Sequence, residues 1–95
     1  MGLEYKIQLV SVDVSAFDTF IRNSPFFTGY DREYKLYNLC LSDSDKAGTM
    51  ADACVAIESD GIYFCDNCAG DTTAILQMLI AEAKKYSNEV RLEEL

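Results

Sequence analysis

The stretch Ala51–Asp66, ADACVAIESDGIYFCD, decides how this chain folds. Two apolar runs flank Ser59-Asp60-Gly61, and Asp-Gly is a strong β-hairpin signal because a type I′ turn needs positive φ at both central residues. Two registers fit the pattern. A loop of Asp60-Gly61 places Ala56 opposite Cys65, whereas a loop of Ser59-Asp60 places Cys54 there. In both registers one face holds Val55, Ile57, Ile62 and Phe64, and the other holds Cys54, Ala56, Tyr63 and Cys65.

The N-terminal half predicts a strand, a helix and a second strand. Residues 3–11 alternate, with Leu3, Tyr5, Ile7 and Leu9 on one side and Glu4, Lys6 and Gln8 on the other. Asp13 is a candidate N-cap for a helix whose apolar stripe contains Val14, Phe17, Phe20 and Ile21, and which ends at Ser24-Pro25. Residues 26–30 are expected to be an aromatic connector. Residues 33–41 are expected to be a strand with apolar side chains on both faces.

The C-terminal part predicts a second helix and a last short strand. Asp71 or Thr72 can cap a helix that runs to about Ser87, and its stripe holds Ile75, Leu76, Leu79, Ile80, Ala83 and Tyr86. Lys84 and Lys85 suit the C-terminal end of the helix dipole. Residues 90–93 alternate again and are expected to form a strand.

The resulting order is β-α-β-β-β-α-β over a single α+β domain of 95 residues. We expect a two-layer sandwich with a mostly antiparallel sheet. Both helices need an apolar sheet surface, so the simplest arrangement puts both on one face. This arrangement resembles a ferredoxin-like plan with an added strand, which by itself implies no function. The other sheet face is then open to solvent or to a partner. Its expected occupants are Glu4, Lys6, Gln8, Cys54, Tyr63, Cys65 and one of the two faces of the strand at residues 33–41.

Composition excludes several chemistries. The chain has no histidine, so Ser-His-Asp and Cys-His catalysis and histidine-based zinc sites cannot occur. A net charge of −8 argues against nucleic-acid binding. No secretory signal is evident, and the most apolar helix-like stretch, residues 74–83, is too short to cross a bilayer. We expect a cytoplasmic, bacterial-type protein without cofactor or metal, and no enzyme, because no pair of carboxylates stands out as acid and base.

The acidity is concentrated between residues 43 and 82, where eight acidic side chains accompany one lysine. Such a patch is either solubilising or a surface that attracts a basic partner, since complementary fields raise association rates. Small acidic proteins that neutralise basic nucleases or toxins have this size and sign. Tyrosine on the open face adds rigid contact area. The candidate interaction residues are Asp43, Asp45, Asp52, Glu58, Asp60, Tyr63, Asp66 and Asp71.

The cysteines allow a rival interpretation. Cys65-Asp66-Asn67-Cys68 is a CxxC sequence, which is the candidate redox or metal-binding pair. Cys65 is expected at a strand end rather than at a helix N-terminus, and the nearby aspartates disfavour a thiolate. A Cys54–Cys65 disulfide fits one hairpin register, although a reducing cytoplasm opposes it. The leading expectation is therefore an acidic protein-binding module of inhibitor or immunity type. The alternatives are a thiol-dependent protein and a homodimer that associates through the open face or an edge strand.

Overall fold

The computed structural model describes residues 3–40, 52–66 and 72–95 of the chain. In sequence order the elements are β1 (Leu3–Gln8), α1 (Val14–Arg22), β2 (Phe27–Asp31), β3 (Leu36–Leu39), β4 (Ala53–Glu58), β5 (Gly61–Asp66), α2 (Thr73–Ala83) and β6 (Arg91–Glu94). The strands form one sheet in the order β2-β3-β4-β5-β1-β6, and every neighbouring pair is antiparallel. The α+β class is therefore confirmed.

The predicted order β-α-β-β-β-α-β is wrong by one strand. Residues 26–30 are not a connector, because Phe27–Asp31 pairs with β3 along the edge of the sheet. The pairing register shifts between Phe27 and Gly29, as at a β-bulge. A bulge breaks the two-residue alternation from which a strand is recognised in a sequence. Pro25 lies directly before residues 26–30 and is itself typical of a turn, so the sequence gives a further reason not to predict a strand there.

A tight turn joins β2 to β3 and shortens the predicted strand 33–41. The Asp31 carboxylate accepts the backbone N–H groups of Glu33 at 2.9 Å and Tyr34 at 3.2 Å. Lys35 adopts a positive φ of 57°. The strand therefore begins at Leu36, and residues 41 and beyond lie outside the described part of the chain.

The β4–β5 hairpin adopts the second of the two predicted registers. Glu58 pairs with Gly61, so Ser59-Asp60 is the loop and Cys54 lies opposite Cys65. Neither loop residue has positive φ, so the expected type I′ turn does not form. Glycine is required at position 61 because a neighbouring strand comes too close for a side chain. A Cβ there would lie 2.2 Å from the Ile7 carbonyl oxygen of β1.

The two helices differ in how they begin and end. Asp13 caps α1 as predicted, because its carboxylate accepts the Ala16 N–H at 3.0 Å. At the start of α2 the side chain of Thr72 makes no capping hydrogen bond, and Asp71 lies outside the described residues. That helix ends at Ala83 rather than near Ser87. The two lysines that follow it lie in a turn beyond its last residue.

A single hydrophobic cluster joins both helices to one face of the sheet. Phe17 and Ile21 of α1 and Ile75 and Leu79 of α2 are fully buried in it. The Phe17 ring also lies 5.5 Å from the ring of Tyr86, just after α2. The sheet contributes side chains of one alternation phase, namely Ile7, Tyr37, Leu39, Ala53, Val55, Ile62 and Phe64. Both helices therefore cover the same face, and among residues 3–40, 52–66 and 72–95 no helix covers the opposite face.

Candidate interaction face

We call the uncovered side of the sheet the open face. The pairing registers place its residues in aligned rows across five strands. They are Leu36 and Asn38 of β3, Cys54, Ala56 and Glu58 of β4, Gly61, Tyr63 and Cys65 of β5, Glu4, Lys6 and Gln8 of β1, and Arg91 and Glu93 of β6.

Lys6 is the centre of an ion-pair cluster on this face. Its ammonium nitrogen lies 2.5 Å from Glu58 Oε1 and 2.7 Å from Asp60 Oδ1, and its side chain is only 16% exposed. Hydrogen bonds to Asp60 and then Glu58 raise the pKa of Lys6. The same contact lowers the pKa of Asp60. The cluster ties β1 to the β4–β5 loop, so these charges are held in place.

Two further hydrogen bonds cross the strands of the open face. The Tyr63 hydroxyl donates to Glu4 Oε1 at 2.5 Å. Burial and this carboxylate raise the pKa of Tyr63, so it stays protonated at neutral pH. The Gln8 amide donates to the Glu93 carboxylate, which connects β1 with the edge strand β6. These contacts restrict the rotamers of the face before any partner binds, which lowers the entropy cost of binding.

The open face and its hairpin loop carry a surplus of negative charge. Four carboxylates, Glu4, Glu58, Asp60 and Glu93, accompany two cations, Lys6 and Arg91. Lys6 already has two carboxylate partners. The geometry can therefore present an acidic, hydrogen-bonding surface to a cationic group.

The predicted acidic residues do not all contribute to this surface. Glu58, Asp60 and Tyr63 come together on one side of the hairpin. Asp52 does not, since it is only 1% exposed. Asp66 is in the alternation phase of Ile62 and Phe64 and therefore lies on the side of the sheet that the helices cover. Asp43, Asp45 and Asp71 lie outside the described residues.

Glu4, Lys6 and Gln8 lie on the open face as expected, although they were not among the candidate interaction residues. Arg91 and Glu93 of β6 were not expected there. The alternation phase of these residues is readable in the sequence. However, the proximity of the β1 residues to Tyr63 and Asp60 depends on β1 pairing with β5, which is a contact between residues far apart in the chain. A run of acidic residues along the chain does not reveal a cluster that is assembled from three strands.

The thiols follow a different pattern from the predicted CxxC pair. Cys65 lies near the end of β5, as expected, but Cys68 lies outside the described residues. Cys65 instead faces Cys54 across the hairpin, and the Cys54 Sγ–H donates to Asn38 Oδ1 at 3.5 Å. Burial raises the pKa of Cys65. Its hydrogen bond with Tyr63 lowers the same pKa, but by less. Within the described ranges, no three His, Cys, Asp or Glu side chains form a group that could hold a metal ion.

A second polar cluster lies on the helix side of the sheet. The Asp18 carboxylate accepts the Tyr37 hydroxyl at 2.5 Å and the Arg22 Nε–H at 2.9 Å. The Arg22 guanidinium lies 5.0 Å from the centre of the Tyr30 ring, in cation–π geometry. This cluster attaches α1 to the β2–β3 hairpin and is structural, because its polar atoms bond to one another.

The β6 edge of the sheet exposes apolar side chains. Val10 is 82%, Leu92 47% and Leu95 61% exposed. Beside them lies a shallow pocket of about 180 Å³, lined by Gln8, Leu9, Val10, Glu89 and Arg91. All four residues of β6 are exposed, so the outer backbone edge of this strand is accessible.

The comparisons with known proteins give no relative for this chain. No family model matches it, and neither the curated proteins nor the solved structures contain a significant match. Neither helix described here has the length and apolar character that crossing a bilayer requires.

Proposed function

We propose that this chain is a non-enzymatic protein-binding module whose open face contacts a basic protein, as an inhibitor or immunity-type protein would. The observation that carries the proposal is the carboxylate surplus around Lys6, on the side of the sheet away from both helices. A cationic partner would gain from this field in two ways. It would be attracted at long range, and it would meet carboxylates already held in position.

The chemistry of the face favours binding over catalysis. Its carboxylates are engaged with a lysine, a tyrosine hydroxyl and an amide across the strands. A general acid or base needs a shifted pKa near neutrality. Here the pKa of Asp60 is lowered and that of Tyr63 is raised, so both shifts move away from neutral pH.

We also infer that the fold is a ferredoxin-like plan extended by two strands rather than one. Without β2 and β3, the order of elements is β1-α1-β4-β5-α2-β6, and the sheet order is β4-β5-β1-β6. That sequence of strands and helices supports the split β-α-β arrangement. The β2–β3 hairpin is then an addition at the β4 edge.

The proposal is tested with a matched pair of charge variants. The chain is immobilised, a stoichiometric partner is captured from native extract at low salt, and the dissociation constant is measured with the purified partner. We expect Glu4→Gln with Glu58→Gln to weaken binding by about tenfold. Glu33→Gln with Glu94→Gln removes the same charge from exposed positions outside the face, since Glu94 is in the alternation phase of Leu92, and should change little.

Salt must weaken the native complex, since the attraction is electrostatic. Absence of any stoichiometric partner at low ionic strength would contradict the proposal. Equal loss of binding in both double variants would contradict the assignment to the open face, because it would show that only the net charge matters.

A second candidate function, homodimerisation, is favoured by the exposed β6 edge. A two-fold antiparallel pairing centred on Leu92 would place Leu92 beside its copy and Arg91 opposite Glu93 of the second chain. Opposite charges directly across a ladder stabilise the pairing. Light scattering over a concentration series tests it. We expect a dimer that Leu92→Lys dissociates, whereas a monomer at all concentrations would exclude this interface.

A further inference from the structure

The β4–β5 register places two cysteines directly opposite each other on the open face. Cys54 and Cys65 are Cα partners in the antiparallel ladder, and both are thiols in the structure. Opposed residues in such a ladder have Cα atoms about 4.5–5.5 Å apart. Disulfides span Cα distances of about 4.4–6.8 Å, so the pair can be joined without changing the register.

The surroundings of the pair suit a reagent that arrives from solvent. Both side chains are half-buried, and neither belongs to the helix-covered core. The Oδ1 atom of Asn38, on the neighbouring strand, accepts a hydrogen bond from Cys54 Sγ–H at 3.5 Å. Burial is the main reason that the pKa of Cys65 is raised, and charge on the opposed Cys54 adds to it.

We propose that Cys54 and Cys65 are a thiol–disulfide exchange site that forms a reversible cross-strand disulfide with a low-molecular-weight disulfide as oxidant. This pair replaces the CxxC pair as the redox candidate, and it is independent of the proposed basic partner. The Cβ atoms of opposed residues are about 4.5–5.5 Å apart, whereas a disulfide needs about 3.5–4.5 Å. The strands must therefore approach slightly, and such a bond is readily reduced again.

The exchange balances in two steps. One cysteine thiolate attacks a sulfur of the small disulfide, forms a mixed disulfide and releases one small thiolate. The second cysteine thiolate then attacks the protein sulfur of that mixed disulfide, forms the Cys54–Cys65 bond and releases the second small thiolate. The two cysteine protons go to the released thiolates. The protein loses two electrons, and the small disulfide gains them.

The test is incubation of the whole chain with oxidised glutathione at about pH 8, where thiols begin to ionise. After acid quenching and alkylation, cleavage after Glu58 separates Cys54 from Cys65, and cleavage before Asp66 separates Cys65 from Cys68. We expect mass spectrometry to find Cys54 and Cys65 in one linked species. Added thiol should release the two peptides.

Variants identify the reacting pair. Cys54→Ser and Cys65→Ser should each retain glutathione on the remaining member of the pair, because each variant lacks the opposed cysteine that resolves the mixed disulfide. Cys68→Ser should form the internal disulfide at the rate of the unchanged chain. A link from Cys65 to Cys68 or to Cys40 would overturn the proposal. So would mixed disulfides that persist in the unchanged chain.

Discussion

Replacing Gly61 by alanine should destabilise the fold, and the structure gives the size of the effect. The added Cβ would lie 2.2 Å from the Ile7 carbonyl oxygen and 2.9 Å from Lys6 Cε. The first contact is with backbone in the β1–β5 ladder, so strands must separate rather than a side chain rotate. Overpacking of this kind costs about 1–3 kcal/mol. Alanine also lowers the conformational entropy of the unfolded chain, which offsets this loss of stability by about 0.4–1 kcal/mol. We expect a net loss of about 1–2 kcal/mol.

Gly29 provides the matched control. It also lies in a strand of the same sheet, but a Cβ there would meet nothing within 4 Å. Gly29→Ala should therefore be neutral or stabilise the chain by about 0.4–1 kcal/mol. Urea denaturation followed by circular dichroism measures both variants. Gly61→Ala should lower the denaturation midpoint at unchanged slope, and its Tm should fall by about 4–16 °C.

Gly61→Ala and Gly29→Ala must differ in stability if the close contact between Gly61 and Ile7 exists. Equal stability of Gly61→Ala and Gly29→Ala would show that β1 does not approach β5 as closely at this position as the structure indicates. A stabilised Gly61→Ala would show that unfolded-state entropy, and not the contact with Ile7, decides the effect of glycine there.

Three further outcomes are expected. Hydrogen bonds from the Tyr37 hydroxyl and then from Arg22 lower the pKa of Asp18 in the folded chain. The ionised carboxylate therefore stabilises the fold at pH values above the pKa of Asp18 in the unfolded chain. This stabilisation is lost as the pH falls through the pKa of Asp18 in the folded chain. Asp18→Asn should therefore flatten the loss of stability below about pH 4 in acid titration of urea midpoints. Phe17→Ala should cost about 3–5 kcal/mol in urea denaturation, because the ring is fully buried. The Cys54–Cys65 disulfide should stabilise the oxidised chain, and a calorimetric Tm no higher than that of the reduced chain would contradict this.

The sequence predicted those parts of the fold that depend on local patterns. The capping of α1 by Asp13 depends only on the first turn of that helix. The alternation of residues 3–9 likewise depends on a single strand, so both could be predicted. The strand at Phe27–Asp31 was not visible, because a shift in its pairing register between Phe27 and Gly29 interrupts its alternation. Asp60-Gly61 suggested a turn, but the glycine at position 61 is needed for a contact with β1 that lies more than fifty residues earlier in the chain.

The candidate site was less predictable than the fold. Glu58, Asp60 and Tyr63 are close in sequence and were found together. Their charge partner Lys6 comes from a distant strand, so only the sheet order reveals it. Asp52 shows the opposite error. An acidic residue beside a polar loop is usually exposed, but this one is buried where β4 begins.

The pairing ladders are unequal in length across the sheet. β5 pairs over all six of its residues with both β1 and β4, whereas β3 and β4 share three residue pairs and β1 and β6 share four. Amide hydrogens should therefore exchange with deuterium fastest at β6 and in the β2–β3 hairpin, and slowest in β5. Subglobal opening would then proceed from both margins inward, and the central hairpin would be the last unit to lose protection.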